Sequence, residues 1–218
     1  MPMDLGLRPD DCIQVYCGRV LWARVGTLNA SVLSQQQPHQ CLKDFGVPNS
    51  SWSPEMMDQF QKFTKLSEDG SWQRIPSYNN CVDSMPEGRQ KRESQNGDRR
   101  FFVHSIDGEG LGFEYSVFMN PSEQRAVALF QPGPYLEGPL GFANGGAIVT
   151  ILYQAVRASI NLNARIANLN IDYKRPVALG SVALVEARVD RIEGGKVFLN
   201  FEVRSVDGQT LYSQGVGK

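Results

Sequence analysis

Gly145 and Gly146 stand between Asn144 and an apolar run that begins Ala147-Ile148. A glycine turn feeding the N-terminus of a buried helix leaves backbone amides unpaired, and such amides can hold a developing oxyanion. That is a device for acyl chemistry. Yet from Leu140 to Asn170 there is no Asp, Glu or His, and hydrolysis needs a group that takes a proton from water. Four residues are candidates for the chemistry. Gly145 has no Cβ, so a ligand carbonyl can reach its amide, or the glycine pair only makes the turn tight. Asn144 can donate a hydrogen bond to a carbonyl but cannot shuttle a proton, and it is equally suited to capping the helix. Tyr153, with Gln154 beside it, lies off the apolar stripe. A phenol of pKa about 10 is a poor base at neutral pH, so the pair either positions a water or packs at a subunit contact. Glu137 is the nearest carboxylate in sequence, a substitute base or an exposed loop residue. His39 falls in the N-terminal leader and His104 within a strand pattern, so neither suits catalysis.

The elements that must hold these residues are readable from periodicity. Ile148, Ile151, Leu152, Ala155, Val156 and Ile160 repeat at three- and four-residue steps, the stripe of one long buried helix. Residues 100–106, 111–119 and 125–131 alternate polar with β-branched or aromatic residues before it, and 166–174, 181–192, 196–206 and 210–216 read as strands after it. Glu193-Gly194-Gly195 and Asp207-Gly208 fall where hairpin turns belong. A strand meander, one central helix and a second meander make an α+β chain with its sheet wrapped around one helix.

Before residue 100 the text differs. Residues 1–43 read as a flexible leader; its acid-poor part carries Arg19, Arg24 and Lys43, a weak transit-peptide pattern that points to a mitochondrial or cytoplasmic protein. Residues 44–81 form a small helical extension. There Ser53 and Pro54 mark a helix start, Met56, Met57, Phe60, Phe63 and Leu66 form a packing stripe, and the helix ends before Gly70. Residues 82–99 are a charged linker, and 100–218 the main domain. Cys12, Cys17, Cys41 and Cys81 lack metal-like spacing and read as reduced thiols, with no metal and no cofactor expected. The net charge of −1 gives no reason to expect nucleic acid. No apolar run is long enough for a membrane span.

Several separate motifs, in one order, carry a family likeness. Gly112-Phe113-Glu114-Tyr115, Gly133-Pro134-Tyr135-Leu136-Glu137-Gly138-Pro139, the Gly145-Gly146 pair and Asn168-Leu169-Asn170-Ile171-Asp172-Tyr173-Lys174-Arg175-Pro176 resemble the hot-dog fold acyl-CoA thioesterases. The segments Val47-Pro48-Asn49 to Trp52 and Gly70-Ser71-Trp72 to Tyr78 extend the resemblance to the mitochondrial-type subgroup, thioesterase superfamily members four and five. The likeness spans about residues 44–214. It implies a hot-dog homodimer, or a dimer of dimers, that cleaves long-chain fatty acyl-CoA to free acid and CoA in fatty-acid metabolism.

The resemblance also assigns roles. Asn144 stands at the family's His, Gly145 at its backbone oxyanion donor, and Tyr153 at an Asp that projects toward the partner subunit and activates water. Lys174 and Lys196 match CoA-side lysines, whereas Asp172 and Gly195 depart from an Asn and a basic residue. A lysine is a strong point charge for CoA phosphates. With the amide kept and the base lost, reduced activity is expected, since a positioned acid or base contributes about 10²–10⁴ in rate. The alternative is a catalytically silent acyl-CoA-binding or regulatory dimer, and a third reading is an interaction protein acting through residues 44–81. The sequence stops at Lys218 after Gly215 and Gly217, and a final strand of that length is expected to leave part of its neighbour's ladder open.

Overall fold

The computed structural model describes residues 44–77, 103, 106, 108–160 and 166–218, all within the unit Cys41–Lys218. The leader 1–43, the linker 82–99, the strand expected at 100–106 apart from Val103 and Ile106, and all four cysteines and both histidines lie outside the described residues.

Helix α1 (Pro54–Leu66) begins where Ser53 caps it: the Ser53 hydroxyl accepts the Met56 amide at 3.2 Å, and Pro54 takes the first turn, where no N–H is needed. Strands β1 (Gln73–Ile75), β2 (Phe113–Asn120) and β3 (Arg125–Pro132) follow, then helix α2 (Gly145–Ser159), then β4 (Leu169–Tyr173), β5 (Ala183–Glu193), β6 (Lys196–Ser205) and β7 (Leu211–Gly217). Every described pairing is antiparallel, in the spatial order β1-β2-β3-β5-β6-β7-β4. The helix α2 packs on β2, β3, β5 and β6, and Ile151, Leu152, Ala155 and Val156 are fully buried there. Alanines at 126, 128, 183 and 187 line the same core and let the helix sit close to the sheet. This is the α+β hot-dog arrangement: one antiparallel sheet against one long central helix.

The alternation read in β2 and β3 does not separate a wet face from a dry one. All but the first residue of each strand is buried. Tyr115, Val117, Met119, Ala128 and Phe130 face α2, whereas Phe118, Val127 and Leu129 join Trp52, Met56, Phe63 and Trp72 in a second core under α1. Residues 44–77 thus cover the outer face of the sheet. They also extend it, because β1 pairs with β2 from Gln73↔Met119 to Ile75↔Val117, a strand that three residues without clear alternation did not announce.

A buried carboxylate ties this cover down. Glu114 on β2 accepts hydrogen bonds from Asn49 Nδ2 (2.8 Å), Trp52 Nε1 (2.8 Å) and the Gly110 amide (2.6 Å). Gln131 on β3 adds two more, accepting the Ser53 amide at 2.9 Å and donating to the Ser51 carbonyl at 3.0 Å.

The last strand, β7, lies inside the sheet, between β6 and β4. It pairs with all of β4, from Leu169↔Gly217 to Tyr173↔Ser213, so β4 forms the sheet edge. Of the β6 residues, 196–198 and Ser205 have no β7 partner in the register. Gly215 is needed for close approach: a Cβ there would lie 1.9 Å from the Asn170 carbonyl oxygen and 2.5 Å from Phe201 Cζ.

Candidate functional site

The loop from β3 to α2 folds back on itself before the helix starts. The Gly133 amide bonds the Gly112 carbonyl at 2.7 Å and the Tyr135 amide bonds that of Leu111 at 2.8 Å, starting a 3-10 turn at Pro134–Leu136. The returning arm is then held on two sides. The Asn144 amide donates to the Leu136 carbonyl (2.7 Å) and the Ala143 amide to that of Val177 (2.8 Å). Gly138 lies so close to Asn144 that a Cβ would come 2.9 Å from its Cα. Asn144 is thereby fixed in extended geometry (φ −61°, ψ 138°) at the mouth of α2.

From this position the Asn144 side chain caps the helix. Its Oδ1 accepts the Gly146 amide at 2.7 Å, while its carbonyl takes the Ala147 and Ile148 amides. The Gly145 amide bonds no described residue. It is the unpaired donor at the positive end of a buried helix, where negative charge is favoured. The space that a side chain at 145 would occupy is not left open for a ligand. It is filled by Tyr173 of β4, whose Cζ and hydroxyl oxygen both lie 3.2 Å from the Cβ position and whose hydroxyl donates to the Gly145 carbonyl at 3.0 Å. Burial raises the Tyr173 phenol above its ordinary value, so this donor stays protonated at neutral pH.

Sequence reasoning passed over Tyr173 while singling out its neighbours Asp172 and Lys174. The signal was in the alternation of β4: Leu169 and Ile171 pack against the α2 core, and Tyr173 is the next residue on that side. Asp172 and Lys174 take the other side and form an exposed ion pair with each other. A solvent-exposed pair contributes little to stability, but it gives the Lys174 ammonium a carboxylate neighbour.

Glu137 is brought beside the site in backbone only. Its flanking residues touch Asn144, but its own carboxylate accepts the Gly141 amide at 2.7 Å and closes the loop tip. Tyr153 is exposed, under the Arg157 guanidinium at 5.9 Å from its ring centre. Eight residues of helix separate it from Gly145, about 12 Å at 1.5 Å per residue.

Gly194 and Gly195 form the β5–β6 turn with φ of 55° and 74°. That left-handed backbone explains glycine at 195, because a basic side chain there would be strained. Lys196 is exposed at the start of β6. Lys174 is level with the opposite end of that strand, since Lys174 bonds Tyr212 and β7 pairs Ser213 with Val203. Seven residues of strand put the two lysines more than about 20 Å apart within one chain. Among the described residues no group of three or more His, Cys, Asp or Glu could hold a metal ion, and no helix is long and apolar enough to cross a membrane.

Residues 140–212, from the loop tip to the start of β7, match the family model described as the thioesterase superfamily. Over 184 residues the chain is 42% identical to the acyl-coenzyme A thioesterase THEM4 of Xenopus laevis, covering 83% of this chain and 80% of that protein. It is 41% identical over 183 residues to THEM4 of Bos taurus, covering 80% and 77%. With the acyl-coenzyme A thioesterase THEM5 of Mus musculus it shares 34% identity over 201 residues, covering 88% and 81%.

Proposed function

The chain belongs to the thioesterase superfamily, and on that premise we propose that it is an acyl-CoA thioesterase, cleaving long-chain fatty acyl-CoA at a reduced rate. The observation that carries the reading is the unpaired Gly145 amide at the start of α2. A thioester carbonyl placed against that amide gains stabilisation as it becomes an oxyanion, an effect worth about 10²–10³ in rate for one donor. The reduced rate follows from Asn144. Its side-chain oxygen is engaged by the Gly146 amide, and an amide group moves no proton in either case.

The reading includes a homodimer. β4 is the edge strand, with one side of its backbone unpaired by any described strand. Antiparallel pairing of two β4 strands carries Lys174 of one copy toward the end of the sheet at which the second copy carries Lys196. The two cations that one chain holds far apart then serve one CoA. Tyr153, remote from Gly145 in its own chain, faces the site of the second copy.

The test is release of free CoA from palmitoyl-CoA and shorter thioesters by the purified dimer. Slow release abolished by Gly145→Pro, which deletes the amide, is expected; no release at any chain length overturns the reading. The capping bond of Asn144 also favours a second reading, a silent acyl-CoA-binding dimer. That reading requires a non-hydrolysable acyl-CoA analogue to bind without any turnover of the thioester. The compartment follows from residues 1–43, which we propose direct the chain to mitochondria, with the cytoplasm as the alternative outcome when they are fused to a reporter.

A further inference from the structure

We propose that Tyr173 is the positioning residue of this site: it holds Gly145 so that the Gly145 amide points out of the helix start toward the thioester. The proposal rests on the thioesterase reading for its consequence in catalysis, but its geometry is independent of it. Gly145 has no positive φ and no turn that demands glycine. What crowds a side chain there is the Tyr173 ring, which comes within 3.2–3.4 Å of the Cβ position and would have to give by a few tenths of an ångström. The ring closes one side of the Gly145 Cα, and the hydroxyl fixes the peptide that follows by donating to the Gly145 carbonyl. Asn144 fixes the same peptide from its other end through the Gly146 amide.

The 145–146 peptide is therefore clamped at both polar atoms, by residues from the loop and from β4. The Gly145 amide has no such restraint of its own, so its direction is set by this clamp and by the Asn144 backbone. A terminal turn of a helix otherwise frays and swings its first amides, and an oxyanion donor works only if it is aimed beforehand. Tyr173 sits on the edge strand, so it also links the amide to the strand that the dimer reading places at the interface.

Four variants test this, one of them Gly145→Ala alone. Tyr173→Phe keeps the ring and removes the hydroxyl; Tyr173→Ala removes both; Gly145→Ala in the Tyr173→Ala background places a methyl where the ring was. For Tyr173→Phe the expected result is a fall in kcat of about 5- to 20-fold, with KM and the thermal midpoint unchanged. The expected amide result is severalfold faster hydrogen exchange at Gly146, the amide of the clamped peptide, with β2 and β3 unaffected. Gly145→Ala is expected to be tolerated better with Tyr173→Ala than alone. Unchanged exchange at Gly146 overturns the proposal, as does a fall in kcat fully matched by a fall in stability. If the unmodified protein releases no CoA, the thioesterase reading fails, and the exchange rates alone then decide the role of Tyr173.

Discussion

The Asn144 side-chain oxygen accepts the amide of Gly146 at 2.7 Å, so Asn144 serves as the cap of α2. Its loss should cost stability as well as contact with a ligand. Asn144→Ala is expected to lower stability by about 1 kcal/mol, the usual value of an N-cap, measurable by urea denaturation. Asn144→His together with Tyr153→Asp, which restores both family groups, is expected to raise thioester turnover by about 10²-fold or more.

At the other side of β4, Asp172 engages the Lys174 ammonium. Asp172→Asn releases that cation for an anionic ligand. Binding of a non-hydrolysable acyl-CoA analogue should tighten by about threefold at low salt, and the gain should shrink as salt screens it. Lys196→Ala should weaken the same binding, as read by calorimetry.

Glu114 holds residues 49–52 through two donors, Asn49 Nδ2 and Trp52 Nε1, of which the second is buried with its ring. Glu114→Ala strands that donor, and a loss of about 3 kcal/mol is expected. The chain should then be cut by protease within residues 44–77 under conditions that leave the unmodified protein intact. Equal resistance of both proteins would remove Glu114 from its role as the tie of this segment.

Gly215→Ala forces a methyl into the Asn170 carbonyl. Overpacking of this kind costs about 3 kcal/mol where the backbone cannot yield. Here β4 is the element expected to yield, because it is an edge. The variant should lose dimer by analytical ultracentrifugation before it loses helix content.

Burial raises the Asp44 carboxyl, but the Arg74 guanidinium and the amides of Ser77 and Gly46 outweigh it and hold its pKa below the usual carboxylate value. The folded chain therefore binds fewer protons than the unfolded one in acid. The resulting stability is present above about pH 4, the unfolded carboxyl value, and is lost as pH falls through the folded value. Asp44→Asn should lower the thermal midpoint at neutral pH and leave a shallower decline in acid.

What could be read along the chain was whatever depends on near neighbours. The Ile148-Ile151-Leu152-Ala155-Val156 stripe, the Ser53-Pro54 start of α1 and the Gly194-Gly195 and Asp207-Gly208 turns each involve residues within a few positions, and each formed where its pattern lies. The site was legible to the same depth: Gly145 and Asn144 could be named from the helix start that they create.

The remainder depends on residues far apart in sequence. Alternation in β2 and β3 suggested one wet face, yet that face is dry because α1, more than forty residues upstream, lies over it. β1 exists because β2 offers it an edge. The donors that reach Glu114, Asn49 and Trp52, lie more than sixty residues before it. Tyr173 could not be linked to Gly145 from the sequence, because the two, 28 positions apart, are closed into contact only when β4 joins the sheet beside β7. Periodicity and capping act over one turn or one pleat, and these the sequence determined by itself. Which side chain fills the space beside Gly145, and which face of each strand is dry, the tertiary structure alone decided, through contacts that close long loops.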